Sequence, residues 1–236
     1  HGECIGAMEK IESGTVDMVL CDLPYGTTQI AWDTIIPFKD LWAAYERVCK
    51  PNAAMVFTAA QPFASMLIHS KIEWFKYELI WEKNKATGHL NAKKMPMRNH
   101  ENILVFYRSP PTYNPQMTSG HEPLHYAVNK NQTKLYGNYG GVESRTGATD
   151  RYPKSVLNFD VVNQSERIHE TQKPVELFSY LIKTFTNPGD IVLDNTAGSC
   201  TTAQSCLQTQ RKYVCIEKNE EYLKAATSRF GESIFD

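Results

Sequence analysis

The apolar run Val16-Asp17-Met18-Val19-Leu20-Cys21 stops abruptly at Asp22-Leu23-Pro24-Tyr25-Gly26. A strand that ends in an acid, a proline and an aromatic ring sets three chemical groups at one sheet edge. The Asp22 carboxylate can accept hydrogen bonds from an amino group, and the backbone carbonyl of Leu23, followed by proline, can accept another. The Tyr25 ring can stack on a flat base. These are the groups needed to grip the exocyclic amine of an extruded nucleobase, whose Watson–Crick edge and faces must both be held. Taken alone, the five residues are weak evidence, because a strand ending in an Asp-x-Pro turn is ordinary. The rest of the chain decides.

Around that junction, strand-like and helix-like runs alternate at both ends of the chain. The pattern predicts an α/β fold with a mostly parallel central sheet and helices on both faces. Strands are expected at 16–21, 54–58, 77–81, 102–107, 191–194 and 212–217, and helices at 37–49, 62–69, 175–185, 201–209 and 220–229. Lys50-Pro51-Asn52 and Asn187-Pro188-Gly189 are helix stops. At 236 residues, 42% hydrophobic and 22% charged, the chain suits one such domain with an inserted segment. No run approaches the ~20 apolar residues of a membrane span, and no signal peptide is seen. His1 in place of Met suggests a trimmed start. The six cysteines form no C-x-x-C pair and mostly sit in apolar contexts. They read as free thiols of a cytoplasmic protein, with neither disulfides nor a metal site.

Residues 109–165 differ from their surroundings. Pro, Gly, Asn, Thr and Tyr are frequent there, and apolar periodicity is absent, as in a functional loop region or a small inserted module. The charge distribution also singles out the middle of the chain. Residues 83–154 hold eleven Lys or Arg against four Asp or Glu, a net +7. The rest holds 14 basic and 22 acidic residues, a net −8, so the overall −1 conceals a local footprint for a polyanion. Lys83, Lys85, Lys93, Lys94 and Arg98 are the candidate phosphate-facing cations.

The C-terminal half carries a second loop of interest. Asp194-Asn195-Thr196-Ala197-Gly198-Ser199-Cys200-Thr201-Thr202 follows a strand and opens a helix, where open α/β sheets bind ligands. Its small residues allow close backbone approach, and the absence of G-x-G-x-x-G and of a P-loop lysine argues against a dinucleotide or a triphosphate. Glu217, at the end of the next strand, stands where an acid would hold the two hydroxyls of a ribose.

These segments, with Thr171-Gln172-Lys173-Pro174, resemble in order the amino-methylating DNA methyltransferases that use S-adenosylmethionine. The arrangement is the permuted one in which the D-P-P-Y motif precedes the cofactor motif. The resemblance covers nearly the whole chain outside its variable middle. It implies a Rossmann-like methyltransferase domain from 1–108 and 166–236, with residues 109–165 as an inserted target-recognition region. It also implies the following roles. Asp22, Leu23, Pro24 and Tyr25 would be catalytic, with Asp22 also beside the cofactor. Glu3 and Cys4 would contact the cofactor's adenine, and Thr171, Gln172 and Lys173 would line its methionine end. Asp194, Thr196, Ala197, Gly198, Ser199, Thr201, Thr202 and Glu217 would form the rest of the cofactor site. The chain departs from the family's pattern at Leu23, where proline is common, and at Cys200, where the motif has glycine.

The expected reaction is site-specific transfer of a methyl group to the N6 amine of a flipped adenine in double-stranded DNA, since Asp in first position resembles the adenine-modifying members. No covalent intermediate is needed, and the chain lacks the Pro-Cys of carbon-5 cytosine methylation. The alternatives are a cytosine-N4 methyltransferase, a protein glutamine-amide methyltransferase and a non-catalytic DNA-binding module. A homodimer and a cognate restriction endonuclease are the partners that the resemblance leaves open.

Overall fold

The computed structural model describes residues 1–27, 30, 32–125, 145–163, 165 and 172–230. Two compact units are present, residues 1–114 with 155–236, and residues 115–154. The larger unit is built on a seven-stranded sheet of order β5-β3-β4-β2-β1-β6-β7. Its strands are β1 (Val16–Asp22), β2 (Cys49–Ala59), β3 (Phe75–Thr87), β4 (Arg98–Phe106), β5 (Val156–Asn158), β6 (Ile191–Asp194) and β7 (Lys212–Cys215). Pairing is parallel from β2 through β1 and β6 to β7, and again between β3 and β5, while β4 runs against both of its neighbours. The helices are α1 (Cys4–Met8), α2 (Phe38–Val48), α3 (Phe63–Ser70), α4 (Val175–Phe185), α5 (Thr201–Gln208) and α6 (Glu220–Phe230). Among the described residues, no helix is long and apolar enough to cross a membrane.

The central strands are apolar on both faces because both faces are covered. Along β1 and β2, Val19, Cys21, Met55 and Phe57 point into a core shared with α1, α2 and α3. Their neighbours Met18, Leu20, Ala54 and Val56 point into a second core against α4. That alternation fixes the register, since a one-residue slip would exchange the two cores. Trp42 of α2 organises the first. Its ring lies 5.2 Å from Phe106, 5.9 Å from Phe57 and 5.9 Å from Trp74, and its Nε1–H donates to Ser70 Oγ at 2.8 Å.

The observed elements differ from the sequence expectation in instructive ways. Strand β2 starts at Cys49, directly after α2, and so runs through Lys50-Pro51-Asn52, expected only as a helix stop. Strands β3 and β4 are longer than expected and form a hairpin whose outer half is polar and exposed. The short helix α1 and the three-residue β5 carry too few residues to show a period. Within the stretch 109–165, β5 pairs with β3 in the sheet of the larger unit, and residues 115–154 form the second compact unit. Inside that unit Thr118 and Arg151 form an antiparallel bridge. The Arg151 guanidinium donates to the carbonyls of Ala148 and Glu122, and Arg145 pairs with Asp150 at 2.5 Å.

Trp42→Ala is expected to cost about 3–5 kcal/mol of stability, from lost burial and the cavity left among four aromatic rings. Chemical denaturation of the two proteins measures it, and a loss under about 1 kcal/mol would mean that the cluster collapses onto the space.

Candidate active site

A cavity of about 730 Å³ opens along the C-terminal ends of β1, β6 and β7, lined by Asp22 to Tyr25, by the loop Asp194–Ser199 and by Glu217. Parallel strands bring their C-terminal ends to one edge, and helix starts follow, so ligand-binding groups collect there. The wall continues along β3 through Trp81, Lys83, Lys85, Ala86 and Thr87.

Asp22 is the last residue of β1, paired in register with Thr58 of β2. Its Oδ1 accepts from Thr58 Oγ1 at 2.5 Å and from the Tyr25 hydroxyl at 2.7 Å. Its Oδ2 accepts from Lys173 Nζ at 2.5 Å. A carboxylate offers four lone pairs. Among the described residues three are filled, and one lone pair on Oδ2 has no partner. Lys173 is buried, and its ammonium also stands 3.6 Å from Glu101, which in turn pairs with Lys83. Burial alone would discharge Lys173, but the Asp22 and Glu101 carboxylates hold its pKa above the ordinary value. Burial likewise pushes Glu101 up, and Lys173 and Lys83 outweigh it, leaving its carboxyl below the usual range. Four alternating charges thus run along one wall.

Leu23 is buried in the core, anchoring the turn with apolar surface, while Pro24 and Tyr25 line the cavity. One face of the Tyr25 ring stacks on Phe63, with centroids 5.0 Å apart and planes at 25°. Burial, Asp22 and Glu101 push its hydroxyl well above the ordinary tyrosine value, so it stays protonated and donates to Asp22. The chain then turns at Gly26, with φ +67° and only 2.9 Å between a hypothetical Cβ and Ile35 Cγ1. Any side chain there would be strained by the backbone and would have to push Ile35 aside. The Asp33 carboxylate closes the turn by accepting from the Gly26 and Thr27 amides at 2.8 and 2.9 Å.

At the other end of the cavity, Glu217 lies two residues past β7. Its Oε2 accepts from the Gly198 amide and its Oε1 from the Asn219 amide, both at 2.7 Å, which fixes the carboxylate and leaves each oxygen a second lone pair. Thr196 Oγ1 donates to the Asp22 carbonyl at 3.1 Å and joins the two loops. Asp194 is buried, accepting from the Thr196 amide and from Thr202 Oγ1 at 2.5 Å. Burial pushes its carboxyl up to about 7 in spite of those bonds. Glu3 caps α1 by accepting from the Gly6 amide, and the Cys4 thiol donates to it. Burial and Glu3 push that thiol up to about 12, so it carries no nucleophilic thiolate at neutral pH. Cys200 takes up φ 54°, ψ 36°, a left-handed conformation that costs a side chain strain and that explains a glycine at this point of the motif.

Most expected cofactor residues, namely Glu3, Cys4, Asp22, Gln172, Lys173, Asp194, Thr196, Ala197, Gly198, Ser199, Thr201 and Glu217, line the cavity. Thr202 does not, because its hydroxyl is turned to Asp194. Thr171 lies outside the described residues. Lys85, Lys93, Lys94 and Arg98 are exposed on the hairpin, as phosphate-facing cations would be. Lys83 differs from that expectation, as its ammonium is buried against Glu101 inside the cavity wall. Thr58, Glu101, Asp33 and Asn195 were not anticipated. Only the strand register brings Thr58 to Asp22 and Glu101 beside Lys83.

The DNA methylase family matches residues 16–228. The chain belongs to the DNA methylase family. S-adenosylmethionine is the cofactor of that family. Among curated relatives, the DNA adenine methyltransferase YhdJ of Escherichia coli (strain K12) is 29% identical over 244 residues, covering 97% of this chain and 81% of that protein. The type II methyltransferase M.HpaI of Haemophilus parainfluenzae is 26% identical over 242 residues, covering 95% and 71%. The solved structure of the M1.HpyAVI–SAM complex shares the fold with a TM-score of 0.67 at 23% identity, over 98% of this chain and 97% of that one. The cytosine-N4-specific PvuII DNA methyltransferase shares it with a TM-score of 0.68 at 15% identity, over 100% and 86%.

The residues present fit the family's cofactor. A fixed carboxylate suits a diol, a loop of Ala197 and Gly198 permits close approach, and Asn195, whose buried Nδ2 has no hydrogen-bond partner among the described residues, lines the cavity. Two predictions follow from the electrostatics. Between about pH 4 and 7 the folded state holds a proton on Asp194 that the unfolded chain has lost, so this group's contribution to stability falls as pH rises, by roughly 4 kcal/mol at most. Urea midpoints for wild type and Asp194→Asn should diverge across that window, and parallel curves would remove the effect. Lys173→Met should cost about 3–5 kcal/mol by leaving the half-buried Asp22 carboxylate without its cation and Glu101 with Lys83 alone. The loss should be larger at pH 8 than at pH 5, where the freed carboxylates can take protons, and a pH-independent loss would mean simple packing damage.

Proposed function

We propose that this protein is a site-specific adenine methyltransferase, moving a methyl group from S-adenosylmethionine to the N6 amine of an adenine swung out of duplex DNA. The observation that carries the reading is the Asp22 carboxylate, clamped by Thr58, Tyr25 and Lys173 with one acceptor position left, in the wall of a cavity shared with the Asp194–Ser199 loop.

An adenine amine is a weak nucleophile because its lone pair is delocalised into the ring. Donating one N–H to Asp22 Oδ2 and the other to the Leu23 carbonyl favours a pyramidal nitrogen with its lone pair free to attack. The clamp on Asp22 makes this orientation preorganised, and positioning with electrostatics supplies most of the acceleration. Tyr25, backed by Phe63, offers its other face to the base, and stacking of this kind is worth roughly 1–3 kcal/mol against the cost of extrusion. S-adenosylmethionine, when bound, supplies the electrophilic methyl. Glu217 holds the ribose hydroxyls, and Gln172, Ser199 and Thr201 face the methionine end. After transfer the nitrogen sheds a proton, and Asp22, already bonded to it, is the base at hand.

The adenine assignment is supported by the first residue of the motif, Asp22, and by the named activity of YhdJ. The likeness to the PvuII enzyme, at 15% identity, concerns the fold. We assign phosphate contacts to Lys85, Lys93, Lys94 and Arg98, and sequence reading to the unit at 115–154 with the segments that flank it.

Incubation with S-adenosylmethionine and unmethylated duplex DNA of mixed sequence, followed by digestion to nucleosides and mass spectrometry, tests the reading. N6-methyldeoxyadenosine is expected, with Asp22→Ala slowed by at least about a hundredfold while cofactor affinity stays within a few-fold. N4-methyldeoxycytidine would reassign the base, and full activity in Asp22→Ala would remove the carboxylate from the mechanism.

A further inference from the structure

The hairpin of β3 and β4 reaches well past the sheet. Its arms pair from Phe75 with Phe106 out to Thr87 with Arg98, and the inner face of β3 forms the cavity wall as far as Thr87. The tip, residues 88–97, therefore starts where the cavity wall ends. It is an ordered turn. Gly88, at φ +90°, opens a 3-10 turn over His89–Asn91, in which the Asn91 amide donates to the Gly88 carbonyl at 2.9 Å. The amides of Lys94 and Met95 both donate to the Asn91 carbonyl.

That turn holds apolar side chains out in water. Leu90 is 87% exposed, Met95 60% and Met97 42%. Other exposed large apolar residues are scattered on separate elements, whereas these three share one tip. The flanking charge has a single sign. From Lys85 to His100 the chain carries Lys85, Lys93, Lys94 and Arg98 and no acid. Among the described residues none of these four cations forms an ion pair.

An exposed leucine on a hydrogen-bonded turn, flanked in sequence by cations that form no ion pair among the described residues and set where the cavity wall ends, has the chemistry of an apolar wedge for a nucleic-acid duplex. Cations engage the phosphates on either side, and an aliphatic side chain entering the stack replaces the contacts that an extruded base gives up. We propose that the hairpin tip, led by Leu90, enters the DNA stack beside the target base and holds open the gap from which that base has swung. This rests on the reading of the protein as a DNA methyltransferase, and it adds the element that stabilises the extruded state from outside the cavity.

The test uses oligonucleotide duplexes carrying the sequence that wild-type protein methylates, with either the normal partner base or an abasic site opposite the target. Leu90→Ala should fold as wild type does, since its side chain is almost wholly exposed. On the ordinary duplex its kcat/KM should fall about ten- to a hundredfold, the worth of burying one leucine side chain. On the abasic duplex, where unpairing costs little, it should return close to the wild-type value. An unchanged rate on the ordinary duplex, or an equal loss on both, would overturn the wedge while leaving the methyltransferase reading intact. A change of sedimentation in Leu90→Ala without DNA would place the tip at a contact between copies of the chain and overturn the wedge as well. Wild-type protein that methylates no DNA would remove both readings together.

Discussion

The ion pair between Asp22 and Lys173 is the interaction on which the site depends. It links the end of the first strand to the entrance of α4, residues 151 positions apart, at a separation of 2.5 Å. Lys173 could not stay charged without Asp22 and its neighbour Glu101, because a buried ammonium without a partner would lose its proton. Together they can be buried, and the pair then fixes which oxygen of Asp22 faces its neighbours and which keeps a free lone pair. Thr58 and the Tyr25 hydroxyl complete the clamp from two further elements. A side chain held from three directions keeps one rotamer, and its accuracy comes from the strands and helix behind it.

Those supports explain why so much of the fold was legible and part of the site was not. Strands β1 and β6 are buried on both faces, so they read as continuous apolar runs, and the acids that end them stand out as breaks. The loop from Asp194 to Ser199 announces itself through small residues between a strand and a helix. Glu217 is visible only because a second strand follows at the right distance. Thr58 and Glu101 could not be found this way. Each is an unremarkable residue inside a strand, and its importance comes from the register with which that strand pairs. Lys83 shows the same dependence on register. A lysine in a basic stretch reads as a phosphate contact, but cross-strand pairing sets it against Glu101 and turns it inward.

The hairpin and β5 show another limit. The outer halves of β3 and β4 are solvated on both sides, so they lack the alternation that marks a half-buried strand, and backbone pairing alone extends them. β5 has three residues, too few to show an alternation, and is recruited by the open edge of β3. Cys200 illustrates the reverse, where a departure from a motif was seen but its meaning was not. Its left-handed conformation shows that the loop geometry persists with a thiol where glycine would be unstrained, the side chain being buried beside Ala197, Ala203 and Ala226.

The alternating row of Asp22, Lys173, Glu101 and Lys83 has a consequence for long-range forces. Two carboxylates at the mouth of a cavity would ordinarily set up a negative potential, which a polyanionic duplex would meet as repulsion long before any contact formed. Here each carboxylate is matched by an ammonium, and Asp194, with a carboxyl near 7, carries only part of a charge at neutral pH. Seen from a distance, the row from Asp22 to Lys83 is close to electroneutral. The field that a duplex senses on approach is then left to the exposed cations of the hairpin. The acids of that wall are thereby masked, before any contact forms, from the phosphate backbone of a duplex.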